Sequence, residues 1–135
     1  MAYVLDASVA AAWFFPDEDD AAVQMAVERL KTDIALVPMQ FWFEIRNLLV
    51  IGERRGRNAP AESTLFLARL DNLPIEADRA PVSADVLSLA RSHALSVHDA
   101  AYLELARRRG AVLATLDRRL AAAARSERLT VLAAS

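Results

Sequence analysis

Four short aliphatic runs, at residues 2–5, 34–37, 111–115 and 129–132, constrain this chain more than any other feature it has. Each has the length of a strand, and none alternates with polar residues, as expected of strands covered on both faces. The segments between them carry apolar residues at helical spacing. Ala22, Val23, Ala26, Val27 and Leu30 do so in residues 19–31, and Leu65, Phe66, Leu67 and Leu70 in residues 60–72. Buried strands alternating with helices specify an α/β fold on a parallel sheet.

The remaining elements follow from their boundary residues. A short helix over residues 7–15 is broken by Pro16, and the acidic cluster Asp17 to Asp20 opens the next, where carboxylates favour the positive end of the helix dipole. A long helix over residues 39–55 is ended by Gly56, and the helix at 60–72 has Pro in its first turn. Two amphipathic helices are expected at 82–93 and 98–109, the second closed by Gly110. A weaker strand is expected at 73–77 and a last helix at 117–124. No linker, repeat or low-complexity segment interrupts this order, so residues 1–135 read as a single domain.

Composition narrows the class. A hydrophobic content of 55% with only three Gly and five Pro argues against disorder and fibrous repeats. No apolar stretch reaches the roughly 18 residues a bilayer requires, so no membrane partner is expected. The first 15 residues have no basic lead-in and are interrupted by Asp6, which argues against a secretory signal and for the cytoplasm. With no Cys, disulfide frameworks, thiolate zinc sites and cysteine nucleophiles are excluded together.

The net charge of −2 conceals an asymmetry: residues 1–30 hold six acids against Arg29, while residues 100–135 hold seven arginines against three acids. Arginine's planar fork suits phosphate recognition, although such residues also serve simply to solvate helix faces.

Ligands on parallel sheets gather at the carboxyl ends of the strands. Asp6 follows the first strand directly, and Asp117 lies two residues beyond Thr115. Glu44 and Asp99 fall in or near the first turns of helices. Glu44 follows Phe41, Trp42 and Phe43 and interrupts an apolar stretch; Asn47 lies one helical turn on. Asp99 sits among Val97, Ala100 and Ala101, and Asp6 among Val4, Leu5, Val9 and Ala10. A charge in such settings is costly unless paired or bound to a cation. Asp6, Asp99 and Asp117 also suit helix capping, a role that fits Glu44 worst because it lies inside its helix.

Clustered carboxylates raise one another's pKa values, and a divalent cation lets them stay ionised together. Oxygen donors without Cys and with little His suit Mg²⁺ or Mn²⁺ rather than zinc. Such a site activates water and stabilises charge on a phosphodiester. A nucleotide triphosphatase is disfavoured, as there is no Gly-rich phosphate loop with its lysine, and so is a Ser–His–Asp hydrolase, as there is no G-x-S-x-G elbow. Of the two histidines, His93 reads as a surface residue and His98, beside Asp99, as a neighbour of the site.

Four stretches resemble the successive motifs of PIN-domain ribonucleases, in order and over nearly the whole chain. They are Val4-Leu5-Asp6-Ala7-Ser8, Phe43-Glu44-Ile45-Arg46-Asn47-Leu48-Leu49, the segment from Ser96 to Ala106, and Leu113-Ala114-Thr115-Leu116-Asp117. The resemblance is greatest to the VapC toxins of toxin–antitoxin pairs. It implies a three-layer α/β/α sandwich on a parallel sheet of four to five strands, and Mg²⁺- or Mn²⁺-dependent endoribonuclease activity on transfer or ribosomal RNA. It implies that Asp6, Glu44, Asp99 and Asp117 are the catalytic, metal-binding acids, with Ser8, Asn47 and Thr115 in support. It also implies a VapB-like antitoxin that blocks the acidic groove, and a homodimer. The helices at 39–55 and 60–72 offer an apolar surface for an antitoxin helix, with Phe14, Phe15, Phe41 and Trp42 as candidates equally for that contact or for the ordinary core.

Three other readings compete. One is a non-catalytic RNA-binding or protein-interaction module that keeps the acids as caps. Another is a phosphoryl-transfer domain with Asp6 as nucleophile, weakened because position 8 is Ser where a second Asp is expected. The third is a structure-specific DNA nuclease, for which the chain is short.

Overall fold

Successive side chains of a strand point to opposite faces, and this sheet buries both. The computed structural model describes residues 1–15 and 20–133. Five strands, β1 (Ala2–Leu5), β2 (Ile34–Pro38), β3 (Ile75–Asp78), β4 (Val112–Thr115) and β5 (Val131–Ala133), form one sheet in the order β3-β2-β1-β4-β5. All four pairings are parallel.

Seven helices cover the sheet. On one face, α1 (Ala7–Phe14), α2 (Ala21–Arg29), α3 (Phe41–Arg54) and α4 (Pro60–Asp71) pack against Tyr3, Leu5, Ala35, Val37 and Ala114. On the other, α5 (Ser83–His93), α6 (Val97–Arg109) and α7 (Arg118–Ser126) pack against Val4, Leu36 and Leu113. This is the expected three-layer α/β/α sandwich with a five-stranded parallel sheet. Residues 16–19 lie outside the described residues, and with them the break at Pro16 and most of the acidic cluster. Asp20 is described: it caps α2 by accepting from the Ala22 amide at 2.7 Å.

Several boundaries differ from the expectation. Pro38 belongs to β2, where it stands opposite Asp78 of β3, and the long helix therefore starts at Phe41 rather than residue 39. β3 lies two residues further along than expected, because Leu73 and Pro74 form the turn that delivers it. The last strand begins at Val131, since Leu129 and its left-handed neighbour Arg128 finish the exit from α7.

Other differences concern which residues are covered. Phe41 is fully buried and Phe15 nearly so, which removes both from the apolar contact surface; Phe43 and Leu65, at 78% and 71% exposure, are the outward residues of that region. His93 is not a surface residue either: its Nε2 lies 2.8 Å from Glu127 Oε2 in a half-buried pair joining α5 to the end of α7. Of the C-terminal arginines, Arg108 is committed to structure. It donates to buried Glu104 at 2.7 Å and to Asp78 at 2.6 Å, fastening α6 to the end of β3. Arg107 pairs with Glu127.

Candidate active site

The strand order reverses its direction of growth between β1 and β4, and a crevice opens at the carboxyl ends of those two strands. Asp6 leaves β1 there, and Asp117 follows β4. Both acids are helix caps, as capping propensity predicts. Asp6 accepts from the Ser8 amide at 3.4 Å, and Asp117 Oδ1 accepts from the Arg119 and Leu120 amides.

Two hydroxyls lace these loops together. Thr115 donates to Asp6 Oδ2 at 2.6 Å and accepts from the Asp117 amide at 3.0 Å. Ser8 donates to the same Asp6 oxygen at 2.9 Å and accepts from the Leu116 amide at 3.2 Å.

Glu44 and Asp99 arrive from opposite layers. The Gln40 side chain donates to the His98 carbonyl at 3.0 Å, which joins the start of α3 to the start of α6 and sets the two acids on one cleft. Ser96, not Asp99, caps α6, by accepting from the Asp99 amide at 3.1 Å. The Asp99 carboxylate is thereby released from capping. Tyr102, fully buried one turn further along α6, donates to Glu44 Oε1 at 2.8 Å and accepts from the Ala7 amide at 3.4 Å.

The cleft has a volume of about 490 Å³, and all four acids line it together with Ser8 and Asn47. Burial, chiefly, pushes the Asp6 carboxyl above its ordinary value; Thr115 and Ser8 oppose this by hydrogen bonding, and Asp99 adds to it by repulsion. Glu44 is raised by burial and by the charges of Asp6 and Asp99, against the hydrogen bond from Tyr102 and the nearby His98. Asp99 is raised by burial and by Asp117, again moderated by Ser96 and His98. His98 thus does stand at the edge of the site.

The end of the cleft that holds the four acids offers oxygen donors with surplus negative charge, and that donor chemistry suits a hard divalent cation. Among the described residues no three His, Asp or Glu side chains are gathered closely enough to form a ready-made metal cage. Mg²⁺ does not require one, since it keeps several waters and uses one or two carboxylates.

A family model for the PIN domain matches residues 3–126. The chain belongs to the PIN-domain family. Ribonuclease VapC3 of Pyrobaculum aerophilum is 36% identical to it over 129 residues, which cover 90% of this chain and 93% of that protein. The crystal structure of PAE2754 from the same organism superposes with a TM-score of 0.73 at 25% identity, over 98% of this chain and 92% of the other. VapBC2 from Rickettsia felis, solved with a DNA fragment from its promoter, has a TM-score of 0.69 at 12% identity over the full length of both chains, a likeness of fold.

All seven residues anticipated for a PIN-domain site lie at this edge of the sheet: Thr115 is buried behind Asp6, and the other six line the cleft. Sequence reading did not assign Tyr102 a role. The signal was available, because Tyr102 is three residues from Asp99 and therefore on the same face of α6. The arginines at the cleft, Arg55 and Arg57, likewise carry no sequence signal of their own, since the charge asymmetry lies in the C-terminal arginine block.

Proposed function

We propose that this PIN-domain protein is a VapC-type toxin: a divalent-metal-dependent endoribonuclease that hydrolyses RNA phosphodiester bonds and is held in check by a VapB-like antitoxin. The observation that carries the reading is the convergence of Asp6, Glu44, Asp99 and Asp117 on one cleft at the switch point of the sheet, three of them with raised carboxyl pKa values. Helix capping accounts for two of the four acids. It does not account for Glu44 and Asp99, whose hydrogen bonds with Tyr102 and Ser96 do not offset the burial and repulsion that raise both carboxyls, and this disfavours the non-catalytic reading.

In this reading Asp6, Glu44 and Asp99 hold Mg²⁺ or Mn²⁺, and Asp117 helps to place it or a second ion. Such a cation lowers the pKa of water and neutralises charge developing on the phosphate. The chain's own part is positional. Thr115 and Ser8 fix the Asp6 carboxylate, Tyr102 fixes Glu44, and Ser96 frees Asp99 to face the cleft. No side chain serves as nucleophile.

VapC3 is named a ribonuclease, and relatives of this fold are found in complexes such as FitAcB of Neisseria gonorrhoeae and VapBC2. These names support RNA as substrate and an antitoxin as partner; a toxin homodimer acting in the cytoplasm completes the proposal. No helix among the described residues is long and apolar enough to cross a membrane. The deciding experiment incubates purified protein with total RNA and Mg²⁺ or Mn²⁺, beside Asp6→Asn and an EDTA control. Discrete fragments that vanish in both controls are expected. Cleavage that survives Asp6→Asn removes the metal assignment, and intact RNA throughout returns the acids to structural roles.

A further inference from the structure

The cleft is longer than the acidic site requires. Its wall on α3 is one continuous stripe, Glu44, Asn47, Leu48, Ile51, Gly52 and Arg55, at the three- and four-residue steps of a single helix face. At 1.5 Å per residue, Glu44 and Arg55 are about 16 Å apart along the axis. Carboxylates occupy one end, half-buried aliphatic groups the middle, and Arg55 and Arg57 the other end.

That far end is a built feature. Helix α3 closes with the Arg57 amide donating to the Gly52 carbonyl at 2.9 Å and the Gly56 amide to the Glu53 carbonyl at 3.1 Å, with Gly56 left-handed at φ 72°. These are the paired bonds of a Schellman motif. Buried Asn58 locks the turn to the helix by donating to the Leu49 carbonyl and to Ser63, which in turn donates to Glu53 at 2.6 Å. The Arg57 guanidinium lies 4.1 Å from the centre of the Phe15 ring. A side chain at position 52 would collide with Asn58 and Phe15, so glycine is what allows this packing. Arg108 is spent on two carboxylates, whereas Arg55 makes no ion pair among the described residues.

We propose that Arg55 and Arg57 form a phosphate subsite for the RNA strand, more than one nucleotide from the bond to be cut. This rests on the reading of the acidic end as a nuclease site. The acidic end repels a polyanion until a cation is bound, so the arginines supply the metal-independent grip, and the aliphatic floor between accepts sugar and base faces. Strand polarity in the cleft is then set by which flanking phosphate reaches the arginines.

The test is binding of a fluorescent single-stranded oligoribonucleotide of mixed sequence, by anisotropy over a salt series, to Asp6→Asn protein in EDTA. Adding Arg55→Gln or Arg57→Gln is expected to weaken binding about fivefold each and to reduce the log–log salt slope by about 0.7 per arginine. Arg91→Gln, an exposed charge on α5, is the control and leaves both unchanged. Arg57→Lys keeps the charge and guards against lost packing on Phe15.

Equal binding by the Arg55 and Arg57 variants and their parent, or an equal loss in Arg91→Gln, overturns the subsite. Arginine-dependent binding by a wild-type protein that cuts no RNA overturns the nuclease reading instead.

Discussion

The Thr115 hydroxyl at the end of β4 donates a 2.6 Å hydrogen bond to Asp6 Oδ2 at the end of β1, joining residues 109 apart in sequence. Both groups are buried, and the same hydroxyl accepts from the Asp117 amide. One oxygen thus bridges the two strand ends that frame the cleft, beside the Ser8 hydroxyl and the bond from the Asp6 amide to the Ala114 carbonyl.

Thr115→Val preserves shape and removes that hydroxyl. It leaves Asp6 with one donor fewer and the Asp117 amide without its acceptor. A loss of about 1–3 kcal/mol is expected in urea unfolding at neutral pH, with reduced cleavage. Wild-type stability would mean the two loops are held by other contacts.

Tyr102→Phe tests the support behind Glu44. The ring still fills its place, so folding should persist, while the Glu44 carboxylate loses its one defined orientation. Calorimetric titration with Mn²⁺ should show affinity lower by about 10- to 100-fold, the range for residues that orient metal ligands. Unchanged Mn²⁺ affinity would confine Tyr102 to packing.

Asp99→Asn should separate stability from activity. The folded protein holds the Asp99 carboxyl above its ordinary value of 3.8, so across that window the native state binds more protons than the unfolded chain. The penalty is absent below the ordinary carboxylate value and grows as pH rises through the raised one. Metal-free Asp99→Asn should therefore melt higher than wild type at neutral pH, with the difference vanishing on acidification, and should cleave no RNA. A lower melting temperature at neutral pH would show that Asp99 makes a net favourable contact.

Arg108→Met leaves the buried Glu104 carboxylate without its partner, and a loss of about 3 kcal/mol is expected in denaturant titration. Adding Glu104→Gln should recover most of it. A small effect in the single variant would mean that water reaches Glu104.

The layered sheet and the candidate acids were legible because short aliphatic runs, Asp6 and Asp117 at their ends, and Glu44 and Asp99 within apolar helix starts are local signals. Phe41 and Phe15 were open between contact surface and core, and the core claims both; helical spacing shows that a face is apolar, not which layer covers it. The roles of Tyr102, His93 and Arg108 depend on partners 30 to 58 residues away, which spacing along one helix cannot reveal. Arg55 and Arg57 read as an ordinary polar helix end until the Schellman turn folds them onto the cleft.

The division of labour at the start of α6 has a consequence for how such a chain changes over generations. Because Ser96 performs the capping, the Asp99 charge brings burial and repulsion that its bond to Ser96 does not offset, so losing that charge is favoured by folding. Drift toward an inactive descendant is thermodynamically downhill at this position, and such a descendant would keep its shape, its turn of arginines and its surface. Only selection on the chemistry itself holds an acid at residue 99.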